Sequence, residues 1–270
     1  MTTHTTDSQV TGHRVQVPGA RLYYQTQGNG PTLVLLGGGP ASADTLVPLA
    51  AQLAGRYTVV SYDRRGYSRS ELENPDEQAG IHRHGDDLRL LIGALGPEPV
   101  SVFGTSFGAL IALDLAATTP GLIQAVVVHE PPLGQLLTGA QRQQFDINLE
   151  DKPDAGTALA AIAASVGARR GLDAGGDQTR PEGRRGDIEL FIRRDAPAIG
   201  DYELNLGRLA AVSGRLAVTG SEAGRAFYPY ACARRLAELT GAPFTELPGN
   251  HAGMIRQPEE FAAALTCLLS

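Results

Sequence analysis

The chain reads as an α/β protein: a mostly parallel eight-stranded sheet flanked by helices and interrupted by a helical insertion. Three observations predict it. Short apolar runs of strand length alternate with stretches of helical periodicity, the rhythm of crossover units that lay strands parallel. That rhythm breaks at about residue 134 and resumes near residue 213. The composition, 270 residues with 42% hydrophobic and 19% charged, suits one large globular core carrying an insertion. The expected organisation is therefore a disordered tail over 1–12, a core over 13–133 and 213–270, and a helical cap over 134–212.

Each element has its own signal. The polar lead-in MTTHTTDSQVTG has nothing to bury. HRVQVP and ARLYYQTQG follow as a hairpin turned at Pro18-Gly19. PTLVLLGGGP is a buried strand ending in glycines, and TLVPLAAQLAGR has helical spacing. YTVVSYDRRGYSRS is a second buried strand with a polar loop, HRHGDDLRLLIGALG a helix, and PVSVFGTS the next strand. FGALIALDLAATTP is a helix stopped by Pro120, and IQAVVVHEPP a strand stopped by Pro131 and Pro132. Gly- and Pro-broken helices fill the insertion. The core then resumes with strand RLAVTGS, helix YPYACARRLAELTG, strand PFTELPG and a last helix through EEFAAALTCLLS.

A net charge of −6 argues against nucleic acid or an anionic membrane surface as partner, since both demand a basic face. The arginine-dense part, GARRGLDAGGDQTRPEGRRGDIELFIRRD, carries nearly as many acids as bases and reads as a solvated face. Lys152 is the only lysine, which points to a GC-rich coding genome. Cys232 and Cys267 stand far apart and form no metal-spaced cluster, so free thiols and no metal are expected. The N-terminus lacks a charged and apolar leader, and no apolar run approaches the ~18 residues of a membrane span. A cytoplasmic protein without a membrane partner is the expectation, with a homodimer left open.

The chemistry gathers around SVFGTSFGAL. Ser106 stands between Gly104 and Gly108 at a strand-to-helix junction, where a tight turn exposes a hydroxyl. A serine hydroxyl needs a base to take its proton. Of six histidines, His4 and His13 lie in or beside the tail, and His82 and His84 at the start of a polar-faced helix, where solvated histidines are common. His251, in ELPGNHAGM, follows a strand and can reach the carboxyl end of the sheet, where active sites of parallel sheets gather. An oxyanion needs backbone N–H donors. Phe107 supplies one at the helix start, and the LLGGGP loop the other, from Gly39 or Gly38. No Lys-Ser/Thr follows those glycines, so the loop is not a phosphate cradle.

Together LLGGGP, YDRRGYSRS, FGTSFGAL, VVVHEPP and PGNHAGM resemble the α/β-hydrolase superfamily. They are similar in particular to small bacterial hydrolases with a His-Glu-Pro-Pro turn after the sixth strand. The resemblance covers roughly 14–133 and 213–268. It implies Ser106 as nucleophile, His251 as base, and the N–H groups of Gly39 and Phe107 as oxyanion hole. The sequence departs from the family at two places: the histidine common before the oxyanion glycines is Gly37, and the usual glycine after the fourth strand is Ser68.

The acid is ambiguous. Most members carry an Asp three residues past the glycine ending the seventh strand, and here that position is Ala223. Glu222 is one residue early. Glu130, after AVVVH and before two prolines, matches the minority that place the acid at the end of the sixth strand. A carboxylate there would be costly to bury unpaired, and pairing with the histidine N–H removes that cost. This favours Glu130, with Glu222 the alternative. His129 beside it points to the other face and reads as structural. Asp63 and Arg65 are expected to bond each other or nearby backbone and hold loops at the site.

The expected activity is a cofactor-free serine esterase-like hydrolase with a catalytic triad, cleaving an ester, thioester or related acyl bond of a small molecule through an acyl-enzyme. Leu136, Phe145, Phe191 and Tyr202 are candidate pocket walls from the cap. Two other readings stand beside it: a C–C hydrolase, lyase or cyclase on the same scaffold, and a non-catalytic small-molecule binding protein. A dehalogenase or epoxide hydrolase would need a carboxylate where Ser106 stands.

Overall fold

The computed structural model describes residues 9–146, 148–168 and 181–269. β1 (Thr11–Val17) and β2 (Ala20–Gln27) form the expected antiparallel hairpin, with Val17 opposite Ala20 across Pro18-Gly19. β3 (Thr32–Leu36), β4 (Thr58–Tyr62), β5 (Glu71–Leu72), β6 (Val100–Thr105), β7 (Ile123–His129), β8 (Leu216–Ser221) and β9 (Phe244–Leu247) complete one sheet. Its order is β1-β2-β4-β3-β6-β7-β8-β9, with β5 paired to β2. From β4 to β9 every pairing is parallel. The sheet thus has nine strands rather than eight. The extra one pairs only Leu72 with Ala20 and Glu71 with Arg21, too short a run to show in the sequence.

The tail expectation is corrected at its end. Thr11 and Gly12 belong to β1 because they pair with Thr26 and Gln25. Residues 1–8 of that tail lie outside the described residues.

The central strands β3, β6 and β8 are buried almost throughout because both faces are covered. α1 (Val47–Leu53), α2 (Ile81–Leu95) and α3 (Phe107–Thr118) follow β3, β5 and β6. Ten residues of α3, Phe107 to Ala116, are buried, as a helix apolar on every side must be. Its one charge, Asp114, accepts from Tyr202 Oη at 3.2 Å and lies 2.6 Å from His82 Nδ1.

Between β7 and β8 come α4 (Gly139–Phe145), α5 (Ala155–Ser165), α6 (Pro181–Leu190), a π-turn over Phe191–Asp195 and α7 (Ala196–Asp201). α8 (Tyr228–Thr240), α9 (Gly253–Arg256) and α10 (Pro258–Leu269) close the chain. α1 and α10 cover one face, where Phe103 meets Phe261 edge-on at 5.7 Å. Each such ring contributes roughly 1.5–3 kcal/mol by leaving water. α2, α3 and α8 cover the other face. No helix among the described residues is long and apolar enough to cross a membrane.

Two expectations about charge are corrected. His84 is not solvated but fully buried, because its helix face turns towards α3 and the π-turn, where Asp195 meets its Nε2 at 3.3 Å. In the arginine-dense stretch, residues 169–180 lie outside the described residues. Arg185 and Arg193 are exposed, whereas Arg194 is buried and bonds Asp195 at 2.8 Å. Part of that stretch is therefore interior.

Candidate active site

Ser106 sits where β6 becomes α3, in the left-handed region at φ 53°. Only a sharp turn puts a non-glycine residue there. The flanking glycines make that turn possible: a Cβ on Gly104 would stand 2.5 Å from the Gly108 carbonyl oxygen. The turn is also tied sideways. β6 and β7 pair Thr105 with His129, and Ser106 N–H donates to the His129 carbonyl at 2.9 Å. Ser106 and Glu130 are therefore the residues that step off one ladder rung.

Glu130 is likewise left-handed, at φ 47°, and almost fully buried. Its Oε2 lies 2.5 Å from His251 Nδ1. Its Oε1 accepts from the Ser221 N–H at 2.7 Å and from the Ser221 hydroxyl at 2.6 Å. Ser221 was not singled out from the sequence; its only signal was its place at the end of the β8 strand. Glu222, the alternative acid, is exposed and makes no hydrogen bond or ion pair among the described residues.

Burial alone would raise the Glu130 carboxyl, yet the His251 hydrogen bond, the two neighbouring imidazoles and Ser221 outweigh it and hold it at about 2, against an ordinary 4.5. The unfolded chain then binds that proton more tightly than the folded one. The carboxylate's contribution to stability is complete above its unfolded value and is lost as pH falls from 4.5 towards about 2. The urea midpoint of the wild type should fall over that window, and that of Glu130→Gln should fall less. Parallel slopes for the two proteins would refute the ionised pair.

His129 faces α10, with its ring 5.5 Å from Phe261 and its Nδ1 3.0 Å from Thr219 Oγ1. Burial pushes it down to about 4, so it is neutral at neutral pH. Asp63 and Arg65 do not pair with each other. Asp63 takes the Ala43 N–H and the Arg69 guanidinium, and Arg65 pairs with Asp87 and Glu77. Each also bonds nearby backbone, the other alternative expected: Asp63 accepts from the Ala43 and Arg69 N–H groups, and Arg65 donates to the Pro18 carbonyl at 3.2 Å.

A cavity of about 560 Å³ opens over these groups. Ser106, His251, Gly38 and Gly39 line its floor. A Cβ on Gly38 would stand 2.7 Å from Ser106 Cβ, so bare backbone is required beside the serine. Phe107 presents its N–H at the first position of α3, where a helix has no acceptor for it. Its ring is buried elsewhere, against His84 and Phe191.

Leu159, Ile162, Val166, Phe191 and Ile199 reach the cavity from the 134–212 segment. Of the four candidate wall residues only Phe191 is among them. Phe145 instead packs edge-on against Tyr228 at 5.4 Å, Tyr202 turns its hydroxyl to Asp114, and Leu136 packs into the core. Ser68, where the resembling family has glycine, is left-handed at φ 46°. Asp187 of α6 accepts its N–H at 2.8 Å and also its hydroxyl, which holds a serine in a conformation that favours glycine.

The chain belongs to the family described as the α/β hydrolase fold, whose pattern matches residues 31–185. It is 35% identical over 260 residues to the uncharacterized hydrolase YraK of Bacillus subtilis (strain 168), covering 94% of each chain. Among solved structures it is similar to a bacterial membrane phospholipase A, with TM-score 0.75, 19% identity and coverage of 96% of this chain and 86% of that one. It is also similar to the enol-lactonase of Burkholderia xenovorans LB400, with TM-score 0.67, 20% identity and coverage of 95% and 99%. The protein is a hydrolase of α/β fold.

Proposed function

We propose that the protein is a serine hydrolase that cleaves an ester, thioester or related acyl bond of a small molecule through an acyl-enzyme. The observation that carries this reading is the 2.5 Å contact between His251 Nδ1 and an ionised, buried Glu130 behind it, with His251 and Ser106 lining the same cavity. With Nδ1–H committed to the carboxylate, Nε2 is the free lone pair, the tautomer that can accept a hydroxyl proton.

Ser106 Oγ attacks the substrate carbonyl carbon and its proton passes to His251 Nε2. The resulting oxyanion takes hydrogen bonds from the N–H groups of Gly39 and Phe107. His251 returns the proton to the leaving group as the carbonyl re-forms. Water then repeats the cycle, with His251 again as base, and releases the acid. Positioned acid–base catalysis supplies ~10²–10⁴-fold, and each oxyanion donor about 10²–10³-fold. Glu130 keeps the imidazole in the productive tautomer and stabilises its cation. The 134–212 segment acts as a cap whose apolar side chains exclude water from this step.

The test is covalent. A p-nitrophenyl phosphonate should label the protein once, and peptide mapping should place the adduct on Ser106. Stoichiometric binding of small esters without labelling or turnover would favour the non-catalytic reading instead.

A further inference from the structure

One guanidinium touches both sides of the proposed oxyanion hole. Arg64 lies in the loop after β4 and is 3% exposed. It donates Nη1–H to the Gly37 carbonyl at 3.2 Å and Nη2–H to the Gly39 carbonyl. Its Cζ lies 4.8 Å from the centre of the Phe107 ring and 4.4 Å from that of Tyr67. The Gly37 carbonyl belongs to the same peptide as the Gly38 N–H, and the Gly39 carbonyl fixes the far side of the residue that carries the Gly39 N–H. The Phe107 ring fixes the first residue of α3. Every N–H considered for the oxyanion is thus braced by the same cation.

A buried arginine is expensive unless its charge is met. Here the countercharge comes from the insertion. Asp195, in the π-turn between α6 and α7, has an oxygen 3.5 Å from Arg64 Nε. Asp195 is itself fully buried and held by Tyr67 Oη at 2.8 Å, His84 Nε2 at 3.3 Å and Arg194 Nε at 2.8 Å. Arg194 also donates to the Arg65 carbonyl at 2.9 Å. The same π-turn contributes Phe191, which lines the cavity and meets Phe107 edge-on at 6.0 Å.

We propose that Arg64 is a positioning residue for the oxyanion hole, and that Asp195 holds it there, so that docking of the π-turn sets the glycine loop. The inference rests on the serine-hydrolase reading above. Its physical basis is twofold. A carbonyl that accepts a charge-assisted hydrogen bond makes the N–H of its own peptide a better donor, which here strengthens the Gly38 N–H through the Gly37 carbonyl. The Gly39 carbonyl, whose peptide ends on Pro40 and has no N–H, serves only to fix the loop. A loop fixed before reaction does not have to reorganise as charge develops. Arginine suits the task because its planar fork meets two carbonyls at once, which an ammonium cannot do in fixed geometry.

The experiment compares Arg64→Met, Arg64→Lys and Asp195→Asn with the wild type on p-nitrophenyl acetate, reading kcat and KM separately. Arg64→Met should lower kcat about 10²-fold, with KM within about threefold, because the lost interaction is made in the transition state. Arg64→Lys and Asp195→Asn should each lower kcat about tenfold. Phenylboronic acid, which forms a tetrahedral adduct on a serine, should weaken in step with kcat. Benzyl alcohol, which only occupies the cavity, should bind all four proteins alike.

Wild-type kcat in Arg64→Lys and Asp195→Asn would overturn the proposal, as would equal weakening of both ligands, which marks a collapsed pocket. If Arg64→Met shows no cooperative thermal transition, the other two variants decide the matter. Ser106→Ala separates the two readings: if it is inactive while the Arg64 variants are unimpaired, only this inference falls. If Ser106→Ala turns over like the wild type, both fall.

Discussion

Ser106→Ala should lower kcat for chromogenic esters by about 10⁵–10⁶-fold while leaving the fold intact. The size follows from removing the nucleophile rather than weakening it. What survives is the direct attack of water in a pocket that still binds substrate and still offers N–H donors. The fold should survive because alanine meets the same left-handed requirement at φ 53° as serine, with no added bulk against Gly104 or Gly108. The Ser106 N–H, which is tied to the His129 carbonyl at 2.9 Å, is kept. The measurement is single-turnover and steady-state hydrolysis beside a thermal melt. A variant that melts like the wild type and retains a tenth of its rate would remove Ser106 from the chemistry.

The second large effect separates two carboxylates. Glu130→Gln should cost about 10⁴-fold in kcat, whereas Glu222→Gln should stay within about twofold, the range of an exposed change. The direction of the first comes from Ser221. Its backbone N–H can only donate, and it points at Glu130 Oε1 at 2.7 Å. A glutamine must therefore put its carbonyl there, which leaves its NH₂ facing His251 Nδ1. That turns Nδ1 into an acceptor and moves the proton to Nε2, the nitrogen that should receive the serine proton. The variant keeps its hydrogen bonds and loses the correct tautomer. Glu222 has no such partner among the described residues. Collapse of activity in Glu222→Gln, with Glu130→Gln unimpaired, would reverse the assignment of the acid.

Much of the fold was readable along the chain because its signals are local. Apolar runs such as LVLL and VVV are long enough for strands buried on both faces and too short for helices. The prolines after Glu130 and the glycines around Ser106 mark where those strands end. The pairing of Glu130 with His251 was also accessible, since an apolar strand cannot deliver an unpaired carboxylate into the interior. Other features depend on which residues meet across the chain, and no local pattern records that. Asp63 and Arg65 share a loop but take different partners. His84 sits on a charged helix, yet the π-turn buries it. Phe145 and Tyr202 are large enough for a pocket wall, but each found a partner, Tyr228 and Asp114, that holds it elsewhere. The Arg64–Asp195 contact was hidden for the same reason. Both residues stand in runs of charge that look suited to solvent.

Because Ser106 and Glu130 leave adjacent strands from one paired rung, backbone bonds set the spacing between them. The imidazole comes from a third segment, the stretch between β9 and α9, which is tied to the turn after β8 where the Ala223 N–H donates to the Gly249 carbonyl at 3.0 Å. In the proposed triad the third group is therefore placed by that loop rather than by the β6–β7 ladder. Substitution of Asn250, whose side chain accepts from the Ala252 N–H at 3.0 Å and so shapes that loop, is expected to change reactivity without moving Ser106 or Glu130.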